Sequence, residues 1–177
     1  KALAGLQFFG GGQRSIIGMP AKLALRDAVV MNGVLIHGLD YDDTHLEGVV
    51  HASSRCFSCA LGMAAEVDET GRDLITAYIA GLEAIARIGM VAKGGLQLNG
   101  LHPTGTIAAF ASALIAGKLM GLDAEQLVMA QGNALSTAAS SSRQYSQEGA
   151  WTKRLHPGWG AAAGITAAAM ARGGFVG

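Results

Sequence analysis

Net charge is the first thing this 177-residue chain lacks, because 13 basic side chains are balanced by 13 acidic ones and the formal charge is zero. Without a cationic excess there is no bulk electrostatic footprint for a polyanion, so nucleic acid is not an expected partner. Cysteine is scarce as well. Cys56 and Cys59 are the only two, and one pair three residues apart neither builds a disulfide framework nor completes a structural zinc site. A reducing cytoplasm is the expected compartment. Charged residues amount to 15% and aromatics to 6%, and so few aromatics disfavour sheets held by aromatic and β-branched cross-strand pairs. The longest uncharged apolar stretches, 106–117 and 158–171, fall short of the ~18–20 residues a membrane span requires, so no membrane partner is expected.

What the chain does have is small apolar residues. Half of it is hydrophobic and Gly occurs 26 times, a composition that excludes disorder and suits closely packed helices. At this length one domain is expected, with enough buried surface to fold without a metal or disulfide. The chain opens on Lys1 with no signal-peptide pattern, and Phe175 and Val176 would be odd as exposed endings. A trimmed N-terminus and a further C-terminal part are therefore expected.

Residues 1–19 contain the cluster Gly10-Gly11-Gly12 and no sustained period, and read as an irregular lead-in to a domain over 20–177. Pro20 sits at the tolerated first turn of a helix reaching about Gly38. A polar loop, Asp40 to Glu47, follows. Ser53 or Ser54 can cap a helix to about Glu69, and Gly71-Arg72-Asp73 leads into another from Leu74 to about Gly89. Pro103 begins a helix that stops near Gly121, Asp123 with Gln126 forms a capping box for the next, and Pro157 starts the last, ending near Arg172. Arg143 to Leu155 reads as a mixed polar loop. Six helices and no convincing strand predict an all-α, bundle-like architecture.

The tripeptide Leu-His-Pro occurs at Leu101-His102-Pro103 and again at Leu155-His156-Pro157, each proline placed to begin a helix. His51, ahead of Ala52-Ser53-Ser54, has the same kind of position. Free N–H groups and the positive dipole end at a helix start disfavour imidazolium and favour anions, so these histidines should stay neutral beside a carboxylate substrate. A neutral imidazole can act as a general base. The alternative for each is a capping or carbonyl-satisfying role.

His37-Gly38-Leu39-Asp40-Tyr41-Asp42-Asp43-Thr44-His45 packs three carboxylates and two imidazoles into nine residues, where clustered acids raise one another's pKa. The bland reading is a solvated turn. Lys153 and Arg154, just before the second Leu-His-Pro, would be electrostatically uncomfortable at a helix start without an anion such as a substrate carboxylate, unless they pair with Glu148 or the first acidic loop. Gly158-Trp159-Gly160 and the glycines after it miss the dinucleotide spacing. Cys56-Phe57-Ser58-Cys59 lies inside a predicted helix, where buried small residues explain it better than redox chemistry. Asp42-Asp43 with Glu47 resembles a magnesium cluster but lacks a partner cluster, and His37, Asp40, His45 and His51 have no helical spacing to preorganise them around a transition metal. No metal or cofactor is expected.

Taken in order and at this spacing, His37 to His45, Leu101-His102-Pro103-Thr104-Gly105, and Thr152-Lys153-Arg154-Leu155-His156-Pro157-Gly158 resemble the MmgE/PrpD family, from about Gly12 to the end of the chain. The family includes 2-methylcitrate dehydratase, cis-aconitate decarboxylase and iminodisuccinate epimerase. The resemblance implies a large all-α domain followed by a smaller α+β lid, an active site between them, and no metal. It implies that Asp40, Thr44, His51, His102 and Lys153 line the pocket with His156 close by. A lysine that relatives supply from beyond this segment has no counterpart here.

On this reading a small polycarboxylate is dehydrated by acid–base elimination without a cofactor. His102, Asp40, Lys153 and His51 form the catalytic set, and Thr44, His156 and Arg154 contact substrate. His102 serves as base, Lys153 steadies carboxylate charge, and Asp40 orients a histidine or protonates the leaving group. Epimerisation or decarboxylation would use the same site. A magnesium-dependent prenyl diphosphate enzyme and a non-catalytic helical module are the readings from other classes. Small apolar helix faces point to a homodimer.

Overall fold

Small side chains let helix backbones approach closely, and the fold is organised by such approaches. The structure is a computed structural model that describes residues 1–138, 140–142 and 150–177. It is mostly helical. In chain order the elements are α1 (Ala2–Gln7), β1 (Arg14–Ser15), β2 (Lys22–Leu23), α2 (Leu25–His37), β3 (Thr44–His45) and β4 (Val50–His51). Then come α3 (Ser53–Val67), α4 (Gly71–Ala92), α5 (Gly95–Leu98), α6 (Pro103–Thr106), α7 (Ala108–Leu119), α8 (Ala124–Leu135) and α9 (Thr152–Arg172).

The all-α expectation holds, with two corrections. Two antiparallel two-residue ladders exist, β1 with β2 and β3 with β4. The lead-in is not irregular either: α1 and β1 bring Leu3, Leu6 and Ile16 against Leu23, Ala28 and Met31 in a small cluster of their own. Because Lys22 and Leu23 pair with β1, α2 starts at Leu25, and Pro20 lies outside it.

Helix α9 runs through the centre, against α7, α2, α8 and α3. Its alanines and those of α7 supply much of the main core, together with Val29, Cys56, Cys59, Ile85 and Ile115. Where α2 crosses α9, glycine is required. A Cβ on Gly33 would lie 2.6 Å from the Gly158 Cα, and one on Gly158 would lie 2.4 Å from the Val30 carbonyl oxygen. This crossing fixes the end of α2 against the start of α9, which is where the chemistry-bearing residues sit.

Helix starts only partly follow the sequence signals. Asp123 and Gln126 form the expected capping box. Neither Ser53 nor Ser54 caps α3; Ala52 is its N-cap, and the Asp43 carboxylate accepts the Ser53 N–H at 2.8 Å from the neighbouring hairpin. Pro157 does not begin α9 but lies inside it, because the helix already starts at Thr152. Of the expected polar loop, residues 143–149 lie outside the described residues, and 152–155 are helical.

By length and composition, α4 is long and apolar enough to cross a membrane, a candidate that a search for uncharged runs passes over because Glu83 and Arg87 interrupt it. Its Ala77, Gly81 and Ile85 face is core in this fold.

Candidate active site

Four imidazoles stand in file where the ends of α2 and β4 meet the starts of α6 and α9. His51 and His37 have ring centroids 4.9 Å apart, His37 and His102 6.0 Å, and His102 and His156 5.2 Å. Each comes from a different element. His37 is the last residue of α2, His51 ends β4, His102 is the N-cap of α6 with Pro103 at its first turn, and His156 lies in the second turn of α9.

The hairpin β3–β4 pairs Thr44 directly with His51, bringing the Thr44 hydroxyl to 3.4 Å from Nδ1 of the ring. Asp40 takes φ +60°, the left-handed region that aspartate tolerates better than most residues, in the turn between α2 and β3. Its carboxylate receives a 2.5 Å hydrogen bond from Nζ of Lys153 in the first turn of α9. Burial raises the Asp40 pKa, but the Lys153 contact and the neighbouring His51 and His37 outweigh it and hold the group below its ordinary value. Asp42 is buried beside His37 and is held low in the same way, burial being overcome mainly by the His37 hydrogen bond.

A cavity of about 140 Å³ is lined by Thr44, Val49, Val50, His51, Gln97, His102, Thr104 and Lys153. Four of the seven residues proposed from the sequence, Thr44, His51, His102 and Lys153, thus line one cavity, and a fifth, Asp40, is hydrogen-bonded to Lys153. His156 is behind His102 rather than in the lining, their Nδ1 atoms 3.0 Å apart. Arg154 is not brought in: it is exposed, with its guanidinium 5.3 Å from the Trp151 ring centroid. The magnesium pattern does not assemble, since Asp43 caps α3 and Glu47 is exposed.

His102 is 3% exposed. Its backbone is clamped through Ser140, whose carbonyl accepts the His102 N–H and whose hydroxyl donates to the His102 carbonyl. The neutrality expected from its helix-start position has a different main cause. Burial comes first, then the charges of His156, His37, Lys153 and Arg55, and together they push His102 down to about 2. Burial also lowers His156.

Two contributors were not among the residues proposed from the sequence. His37 is buried with Nδ1 2.9 Å from the Asp42 carboxylate. Arg55 is fully buried and donates to the Thr104 carbonyl at 2.6 Å and to the His51 carbonyl, tying α3, β4 and α6 together under the cavity. Cys56 and Cys59 are buried free thiols, and burial pushes Cys56 up to about 12, as expected of core residues.

These shifts predict acid sensitivity. An unfolded imidazole titrates near 6.5, so below that pH the unfolded state binds more protons than the folded one. Stability is complete above pH 6.5 and falls on acidification toward the folded-state values, by up to ~1.4 kcal/mol per pH unit for each imidazole kept neutral. Asp40 and Asp42, lowered from 3.8, add losses only below about pH 4. Urea midpoints at pH 7.5, 6 and 5 check this; a midpoint constant over that range rules out a neutral buried pair.

A family model described as the MmgE/PrpD N-terminal domain matches residues 2–177. Cis-aconitate decarboxylase of Aspergillus terreus is 32% identical over 179 residues, covering 97% of this chain and 36% of its own length. Cis-aconitate decarboxylase of Homo sapiens is 32% identical over 160 residues, covering 85% and 31%, and the cis-aconitate decarboxylase-like protein oryM of Aspergillus oryzae is 31% identical over 176 residues, covering 94% and 36%. The chain spans about a third of the length of these curated relatives.

Proposed function

The chain belongs to the MmgE/PrpD family, and from that membership and the site's geometry we propose that its protein is a lyase that moves protons at a carbon next to a carboxylate in a small polycarboxylate. The observation that carries this is a buried His102 held neutral in the same cavity wall as Lys153. Two imidazoles joined Nδ1 to Nδ1 share one hydrogen between those atoms. When His102 donates to His156, Nε2 of His102 keeps its lone pair and can take the α-proton. Lys153 holds the adjacent carboxylate and stabilises the negative charge that develops there as the proton leaves. His51, 3.5 Å from the Asp40 carboxylate, supplies the acid side; Asp40, kept ionised by its bond to Lys153, orients it, and Thr44 binds a substrate oxygen.

A base and an acid in one small cavity suit elimination of water from a hydroxy polycarboxylate. The names of the relatives favour a second reading, decarboxylation of cis-aconitate or a close analogue, in which the acid side protonates the carbon left by carbon dioxide. Incubating the full-length protein with 2-methylcitrate, cis-aconitate or iminodisuccinate in deuterated water separates these by NMR. Dehydration yields an alkene of unchanged carbon count, decarboxylation yields a deuterated product one carbon shorter, and epimerisation yields exchange with inversion. Turnover of none of these polycarboxylates, nor of citrate-like analogues, counts against the substrate class.

A further inference from the structure

Asp42 holds two histidines by the same nitrogen. Its carboxylate, 2% exposed, lies 2.9 Å from Nδ1 of His37 and 3.4 Å from Nδ1 of His51. Around His51 Nδ1 the Asp42 carbonyl at 3.3 Å and the Thr44 hydroxyl at 3.4 Å are further oxygens, so the ring hydrogen belongs on Nδ1 in both residues. Each neutral ring then presents its Nε2 lone pair on the far side.

Both lone pairs face one oxygen. Oδ1 of Asp40 is 3.8 Å from His37 Nε2 and 3.5 Å from His51 Nε2. His37 is 1% exposed and its Nε2 makes no hydrogen bond. Three electron-pair donors therefore converge without a hydrogen between them, and the ligand atoms of His37, Asp40, Asp42 and His51 fall within 4.8 Å of one another. Adjacent ligands on a tetrahedral ion bound at about 2.0–2.1 Å are separated by ~3.3–3.4 Å, so the two imidazole-to-Asp40 separations of 3.8 and 3.5 Å need to contract only slightly. Two imidazole nitrogens, one carboxylate oxygen, and a second carboxylate behind the imidazoles match the donor set and outer shell of a divalent first-row transition ion. His45 is not part of it, because its Nδ1 accepts the Gly48 N–H.

We propose that His37 Nε2, His51 Nε2 and Asp40 Oδ1 form a binding site for a divalent transition-metal ion of the zinc type, with Asp42 orienting both imidazoles. Lys153 on the other Asp40 oxygen is a competing cation. If the lyase reading above is right, the ion inhibits by taking Asp40 and His51 out of the proton-transfer set; the binding itself does not depend on that reading.

The test is substrate-free. Full-length protein freed of metal by chelator is titrated with Co²⁺ and followed by visible d–d absorption, then with Zn²⁺ as competitor. One saturable Co²⁺ per chain, displaced by Zn²⁺, is expected. His37→Gln abolishes the signal, Asp42→Asn weakens binding by about 10–100-fold, and His45→Gln leaves it unchanged. Lys153→Met is expected to bind more tightly, a gain that unfolding cannot produce. Absence of a d–d band at saturating Co²⁺, or equal or weaker binding in Lys153→Met, overturns the proposal. Zn²⁺ binding without inhibition of turnover counts against the lyase roles of Asp40 and His51 and leaves the metal site standing.

Discussion

His102→Gln in the full-length protein is expected to lower kcat by two to four orders of magnitude on whichever polycarboxylate it turns over, the usual contribution of a positioned general base. Substrate affinity should change little. Lys153 and Thr44 still line the cavity, and glutamine keeps much of the imidazole's volume and a hydrogen-bonding group toward His156. The split between kcat and KM separates a base from a group that merely packs, because a lost base acts in the transition state alone. His156→Gln should cost less, about tenfold, since His156 touches His102 and is not in the lining. Its effect should also disappear in the His102→Gln background, where there is no base left to orient. An unchanged kcat in His102→Gln would remove this residue from the chemistry and leave His51 as the imidazole to test.

Why some of this site could be read in advance and some could not is a matter of helix geometry. Pro103 at a helix start made the position of His102 legible, and the same reasoning failed at Pro157, which lies inside a helix already begun five residues earlier. Lys153 and Arg154 looked equivalent as neighbouring cations. On a helix, neighbours point about 100° apart, so only one could face Asp40, and Arg154 lies instead over Trp151. Arg55 was missed although a signal existed: it shares a helical face with Cys59 and Met63, both buried, and a charge on an inward face needs partners. The short ladders left no trace, because two-residue strands are below the reach of any period. Yet β3–β4 is what sets Thr44 opposite His51. Asp42 was visible only as one acid among three, since nothing in its spacing says which carboxylate turns inward.

Gly158→Ala should show how tightly the site depends on helix spacing. In isolation this change favours a helix by ~1 kcal/mol. Here the new methyl would sit 2.4 Å from the Val30 carbonyl oxygen and 2.7 Å from its Cα, backbone atoms that cannot rotate aside. The two helices must separate, and overpacking of this kind costs ~1–3 kcal/mol or more. We expect a net loss of about 1–2 kcal/mol in urea unfolding, where Gly71→Ala, with nothing within 4 Å of its new methyl, should be neutral or stabilising. The activity loss should exceed what the stability change explains. Gly33 is one helical turn from His37, and Gly158 is close in sequence to Lys153 and His156, so widening the crossing moves His37 away from His102 and Lys153 away from Asp40 together. If Gly158→Ala keeps both its stability and its turnover, α2 and α9 do not meet backbone to backbone, and the file of imidazoles built on that meeting is misplaced.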